Sequence, residues 1–237
     1  MVKVYTMDMK DVTQKTQLLG HRGSPRAAKE NTIESFRLAL QAGLDGLELD
    51  LHRTRDGVLA IYHDFELEQV SISRLDWAEL KGRAPWMPRL EEVFELAEEF
   101  PEALLNLEIK SQPPDSDGRE AALALALKAW PGRERAWVSS FDPLAIIRLR
   151  KHGYRGNMAL LYAEEVVLEL LPCTGATGVH PHYSLLSQEK VAAFREQGLF
   201  VYTWTVNSRE TARQLQAWGV NGLIGDLPSE LLALRLT

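Results

Sequence analysis

Cysteine is nearly absent: Cys173 is the only one in 237 residues. An internal disulfide and a thiolate metal cluster are thereby excluded, and a lone thiol of this kind is expected as a small buried side chain rather than a nucleophile. No stretch approaches the roughly 20 apolar residues of a membrane span. Residues 1–17 are mostly polar or charged and lack the apolar segment of a signal peptide. The expectation is a cytoplasmic protein with no stable membrane anchor, residues 1–17 forming an N-terminal extension and 18–237 one domain. Basic residues are not in excess either. The 27 Lys and Arg against 33 Asp and Glu leave a net charge of -6, which argues against nucleic-acid binding but leaves room for a local positive pocket. Finally, no glycine-rich phosphate loop follows the first strand. His21-Arg22-Gly23 is a poor substitute, which counts against an open doubly wound sheet.

What is present is a rhythm of short apolar strands and amphipathic helices. Leu18-Leu19-Gly20-His21-Arg22-Gly23 reads as a buried strand breaking into a glycine turn, and Asn31 with Glu34 marks a helix start over Ile33, Phe36 and Leu40. Residues 65–88 lose the period, so they are expected to form an inserted loop with a short helical turn near 75–81. From Arg89 the alternation resumes, with strands at 103–110, 135–140, 157–162, 176–180, 199–205 and 221–225. Helices are expected at 89–99, 119–130, 143–152, 164–171, 188–197, 208–218 and 229–235. Asp142-Pro143, Ser187 and Ser208 are start signals, while Gly153, Gly198 and Gly219 are stops. Eight parallel strands, each followed by a helix, predict a single (β/α)8 TIM barrel, and 237 residues suit that fold.

The chemistry concentrates in Gly46-Leu47-Glu48-Leu49-Asp50-Leu51. Strand side chains alternate faces, so the leucines form one row and Glu48 and Asp50 the other. Two carboxylates about 5 Å apart repel by roughly 3 kcal/mol at an effective dielectric of 20, so a cation or a shared proton is expected between them. Asp56-Gly57 suits a two-residue hairpin turn that pairs Arg55 with Val58 and sets His63 opposite Asp50. Strand 103–110 repeats the pattern, with Asn106, Glu108 and Lys110 on one face. A barrel strand has no solvent face, so these polar positions require partners. Three acids without paired cysteine or histidine ligands favour Mg²⁺ or Ca²⁺, with Mn²⁺ a third choice, at Glu48, Asp50 and Glu108. Arg22 and Lys110 beside that cation suit an anionic substrate, phosphate first. His21 and His63 then suit a general acid and a general base. His180 is expected to line the pocket and Trp204 to wall it, whereas His52, His152 and His182 are assigned no chemistry.

In this order and spacing, His21-Arg22-Gly23, Glu30-Asn31-Thr32, Glu48-Leu49-Asp50, Asp56-Gly57, His63-Asp64 and Leu107-Glu108-Ile109-Lys110 resemble the signature of the glycerophosphodiester phosphodiesterases. Trp204-Thr205-Val206-Asn207 and Gly219-Val220-Asn221-Gly222 extend the likeness from residue 18 to about 228. Lys29 departs from a proline common in the family, and Asn221 and Gly225 depart from Asp and Thr. None of the three is a proposed catalytic group. The resemblance implies a TIM-barrel hydrolase related to the phosphatidylinositol-specific phospholipases C. It carries the metal ligands to Glu48, Asp50 and Glu108, the acid/base pair to His21 and His63, and phosphate contacts to Arg22 and Lys110. The implied substrate is a small glycerophosphodiester. Two alternatives stand beside it. One is lysophospholipase D-like action on lipids, for which Phe65, Trp77, Trp86 and Met87 would form an exposed apolar rim; the other is a non-catalytic phosphate-binding barrel.

Overall fold

A computed structural model describes residues 15–111 and 116–235. Most of the expected N-terminal extension, residues 1–14, lies outside the described residues. In chain order the elements are β1 (Gln17–His21), α1 (Ile33–Gln41), β2 (Gly46–Arg53), β3 (Leu59–Ile61), β4 (Glu66–Leu67), β5 (Val70–Ser71), α2 (Trp77–Arg83), α3 (Leu90–Glu99), β6 (Leu104–Ile109) and α4 (Arg119–Ala129). They continue with β7 (Ala136–Ser140), α5 (Pro143–Lys151), β8 (Met158–Tyr162), α6 (Leu171–Thr174), β9 (Gly178–Pro181), α7 (Gln188–Glu196), β10 (Phe200–Thr203), α8 (Arg209–Ala217), β11 (Gly222–Gly225) and α9 (Pro228–Leu232). Eight parallel strands close into a barrel, because β1 pairs with both β2 and β11, and β3 adds to β2 as an antiparallel return strand.

The punctuation read from the sequence falls where expected. Asp142, Ser187 and Ser208 cap α5, α7 and α8, each side chain accepting from a backbone N–H of the first turn. Three expectations are corrected. The cap of α1 is Thr32, one residue later than expected, which leaves Asn31 free for another partner. The helix at 164–171 is instead a 3-10 turn, Glu165–Leu170, running into the four-residue α6, where Pro172 cannot donate to an α-helical ladder. Cys173, on that short helix, is exposed rather than buried.

Packing has three parts. Leu47, Leu49 and Leu51 point outward from β2 into the main core between barrel and helices, with Phe36, Leu105, Leu107, Val138 and Val201. Full burial of each such side chain stabilises by roughly 1.5–3 kcal/mol relative to exposure. Inside the barrel, Leu19, Leu104, Trp137, Phe200, Tyr202 and Ile224 fill the lumen and make the floor under the strands' C-terminal ends. The insertion is more ordered than the loop expected of it. It holds the β4–β5 hairpin and α2, and Ile72, Leu75, Leu80, Ala84 and Met87 bury themselves with Ala60 in a separate cluster.

Candidate active site

Strand register assembles the polar residues. His21 of β1 lies beside Glu48 of β2; Glu48 lies beside Asn106 of β6, and Asp50 beside Glu108. All of these positions face inward, so side chains from three neighbouring strands meet above the floor. A cavity of about 230 Å³ opens there, with His21, Arg22, Glu48, His63, Glu108 and Lys110 on its polar side and Phe141, Leu161 and Trp204 on its apolar side.

The turn after β1 delivers His21 and Arg22. Gly23 has φ +89, and an added Cβ would meet the Ser35 carbonyl carbon at 2.6 Å, so only glycine lets the chain pass this close to α1. The Arg22 N–H donates to the Glu48 Oε2 at 3.1 Å. The Arg22 guanidinium reaches Glu30 Oε1 at 3.0 Å and Asp50 Oδ2 at 3.2 Å. Lys110 Nζ lies 3.0 Å from Glu108 Oε1 and 3.4 Å from Asp50 Oδ1. Asn31, released from capping, donates its Nδ2 to Asp50 Oδ2 at 2.8 Å.

Glu48, Asp50 and Glu108 each offer a carboxylate oxygen within 4.8 Å of the others, and all three are buried. Burial, and then repulsion from Asp50 and Glu108, pushes the Glu48 carboxyl well above its ordinary range. Burial and Asp50 push Glu108 up to about 7. Burial also works to raise Asp50, but Lys110, Arg22, His63 and the Asn31 hydrogen bond outweigh it and hold this carboxyl low. Two of three acids thus resist ionising together without more positive charge, and the Asp50 Oδ1 accepts no hydrogen bond. A buried, oxygen-only donor set in that state fits a hard divalent cation.

The two imidazoles face the cavity with the same local chemistry. His21 Nδ1 lies 2.7 Å from Asp226 Oδ1, and His63 Nδ1 lies 2.7 Å from Asp64 Oδ1. Each ring therefore donates from Nδ1 and keeps Nε2 for other partners; His21 Nε2 is 3.9 Å from Glu48 Oε2. Asp226 is held in turn by Asn207, whose Nδ2 donates to Oδ2 at 2.8 Å while its Oδ1 accepts from the Asp226 N–H at 2.8 Å.

Of the residues singled out in the sequence, Glu48, Asp50, Glu108, His21, His63, Arg22, Lys110 and Trp204 gather at this place, and His180 does not. His180 is fully buried in the lumen beside Phe200 and Tyr202, where its Nε2 accepts from Trp137 Nε1 at 3.3 Å. It sits in the floor, a layer too deep to meet a ligand, and burial lowers it to about 3, so the ring is neutral. The expected hairpin register is also off by one. Leu51 pairs with Ile61 and Arg53 with Leu59, which puts Tyr62, not His63, level with Asp50. The turn has three residues, Arg55-Asp56-Gly57, with Gly57 at φ +99. His63 still reaches the cavity because it lies beyond the end of β3, where strand alternation no longer governs it.

No role is assigned to Asp226 in the sequence, nor to Asp64, which stands there only within the His63-Asp64 signature. The signal for Asp226 is its place directly after the last barrel strand, in Gly225-Asp226-Leu227-Pro228, at the strand end where barrel enzymes carry their working residues. The apolar rim expected for a lipid substrate is not formed. Met87 is fully buried, Phe65, Trp77 and Trp86 are only partly exposed, and Lys29 Nζ covers the Trp86 ring at 4.0 Å. Among the described residues, no helix is long and apolar enough to cross a membrane.

Known proteins share this fold and much of the sequence pattern. The sequence model of the glycerophosphoryl diester phosphodiesterase family matches residues 21–230. A glycerophosphodiester phosphodiesterase of Caldanaerobacter subterraneus is 32% identical over 240 residues, covering 93% of this chain and 98% of the relative. Among solved structures, a glycerophosphodiester phosphodiesterase of Thermotoga maritima superposes with a TM-score of 0.77 at 28% identity, covering 94% of this chain and 99% of that one. An Oleispira antarctica phosphodiesterase, solved in complex with its product sn-glycerol-3-phosphate, superposes at 0.81 with 26% identity, covering 93% of this chain and 97% of that one.

Proposed function

The chain belongs to the glycerophosphoryl diester phosphodiesterase family, and we propose that it hydrolyses glycerophosphodiesters to sn-glycerol 3-phosphate and an alcohol by metal-dependent acid–base catalysis. The observation that carries this reading is the meeting of three buried carboxylates, two cations and two imidazoles around one cavity. A phosphate-binding barrel has no use for two proton-transfer groups beside its ligand.

Glu48, Asp50 and Glu108 would hold one divalent cation, Mg²⁺ or Ca²⁺ by their oxygen chemistry, with Mn²⁺ accommodated by the same set. Bound there, such an ion neutralises charge that builds on the phosphate oxygens. Arg22 and Lys110 are cations already inside the site, and they orient the phosphate by charge-assisted hydrogen bonds. His21 and His63 divide the proton traffic through their Nε2 atoms. One takes a proton from the attacking hydroxyl, of water or of the glycerol itself, as the new O–P bond forms. The other gives a proton to the leaving alcohol as the old P–O bond breaks. If the glycerol hydroxyl attacked, water then opens the cyclic phosphate with the two rings exchanging roles, which restores the pair; if water attacked directly, the protonated ring releases its proton to solvent and the other regains one. Asp226 and Asp64 keep each ring in the tautomer that leaves Nε2 available.

The test is release of glycerol 3-phosphate from glycerophosphodiesters. Chelation should abolish it and a divalent cation restore it. His63→Ala should lower kcat by roughly 10²- to 10⁴-fold while calorimetry still detects cation binding, and Glu48→Gln should weaken that binding. Full activity in His63→Ala overturns the acid–base assignment.

A further inference from the structure

A second cavity, of about 220 Å³, lies against the first and has no part in the reaction described above. Three separate segments step from one cavity to the other. On β2, Glu48 lines the first cavity and His52, four residues on along the same face, lines the second. After β3, His63 lines the first cavity and Phe65 the second. After β6, Lys110 lines the first and Ser111 the second. Lys110 Nζ lies 5.9 Å from the Phe65 ring centroid, so the two spaces share a wall. The outer wall, with Ser71 and Ser73, comes from the insertion.

We propose, resting on the phosphodiesterase reading above, that this second cavity receives the leaving alcohol and selects a neutral polyol such as glycerol or inositol over an amino alcohol. Its lining is rich in hydroxyls. The Ser71 and Ser73 hydroxyls are 3.0 Å apart, and Ser111 Oγ donates to Asp142 Oδ2 at 2.7 Å, which leaves lone pairs to accept from a ligand hydroxyl. Among the described residues its charges are already matched. Asp117 accepts from Arg119 Nε at 2.8 Å and from the same guanidinium at 2.7 Å, so the one carboxylate lining the cavity among the described residues is not free for an ammonium. His52 spends both ring nitrogens, one on Arg119 and one on the His63 carbonyl, each at 3.4 Å. Phe65 is a single phenyl ring rather than an aromatic cage, and Lys110 stands beside it, so a quaternary ammonium would meet a like charge there.

The experiment compares kcat/KM for four substrates: glycerophosphoglycerol, glycerophosphoinositol, glycerophosphocholine and the methyl ester of glycerol phosphate, whose alcohol is too short to reach the second cavity. The wild-type enzyme should prefer both polyol diesters to glycerophosphocholine by about tenfold or more, the worth of one or two well-made hydrogen bonds. Ser73→Leu, which fills the cavity, should lower the ratio of polyol diester to methyl ester turnover about tenfold, and the milder Ser73→Ala should lower it in the same direction. Equal or better turnover of glycerophosphocholine, or an unchanged ratio in both variants, overturns the subsite and leaves the phosphodiesterase intact. No turnover of any of the four substrates overturns the phosphodiesterase reading and the subsite with it.

Discussion

The two imidazoles of the cavity are alike in geometry and unlike in support. Asp226, behind His21, is largely enclosed and tied at two points to Asn207, whereas Asp64, behind His63, is mostly exposed on a turn. Although burial opposes it, the His21 and Asn207 hydrogen bonds hold the Asp226 carboxyl below its usual range, so it stays charged wherever His21 works. A fixed charge behind an imidazole holds its tautomer and stabilises the imidazolium formed during proton transfer. Asp226→Asn should therefore lower kcat on the order of 10²-fold with little change in KM, since the substituted amide does not touch substrate. Asp64→Asn, screened by solvent, should cost less than about tenfold. Steady-state kinetics on both variants checks the ranking, and equal losses defeat it. The three clustered acids and Lys110 were legible in the sequence because strand alternation alone puts them on one face, whereas Arg22 reaches them from the turn after β1, at φ +54. Asp226 bonds to a partner 205 positions away, and spacing within one strand carries no trace of such a contact. His180 failed for the converse reason. A residue near a strand end can face the lumen yet lie below the cavity, and height along the barrel is set by the stagger between strands rather than by local pattern.

At the scale of elements, the eight strands and most helices stand within a residue or two of where periodicity put them, because each buries an apolar face that repeats on its own period. Turns were less legible. Asp56-Gly57 is compatible with both a two-residue and a three-residue turn, and the choice moves the return strand by one position. The insertion was least legible, since its cluster draws single residues from a hairpin, a 3-10 turn, α2 and β3 with no common period. That separate cluster makes a prediction. Leu80→Ala empties a fully buried position in it and should cost about 2–5 kcal/mol in the stability of this segment. Because Ala60 is the one buried side chain of the cluster that comes from a strand of the barrel sheet, hydrogen exchange should quicken across residues 66–88 while the amides of β7, β8 and β9 keep their protection. A uniform rise in exchange across the barrel shows instead that insertion and barrel unfold as one.

The whole molecule depends on a lumen that holds both packing and polarity. Below the cavity, Trp137, Phe200 and Tyr202 enclose His180, whose Nδ1 has no hydrogen-bond partner and whose Nε2 is committed to the Trp137 N–H. A proton added there would carry a charge into the driest part of the barrel, which is why burial holds this group at about 3 when its ordinary value is 6.5. Folded chains therefore leave His180 unprotonated between these two values, while unfolded chains take up the proton below 6.5. The unfolded state binds more protons across this window, so stability is complete above about pH 6.5 and falls as pH drops towards 3, by up to about 1.4 kcal/mol for each pH unit. Carboxylates also contribute to acid unfolding, so the histidine's part is a difference between two proteins. His180→Asn lowers stability at every pH by changing the lumen packing, but it has no imidazole to protonate. Urea unfolding of both proteins from pH 7 to pH 4.5 should show the wild type losing stability more steeply, by about 1.4 kcal/mol per unit below pH 6.5. Parallel curves for the two proteins refute a neutral, proton-excluding His180 at the base of the barrel.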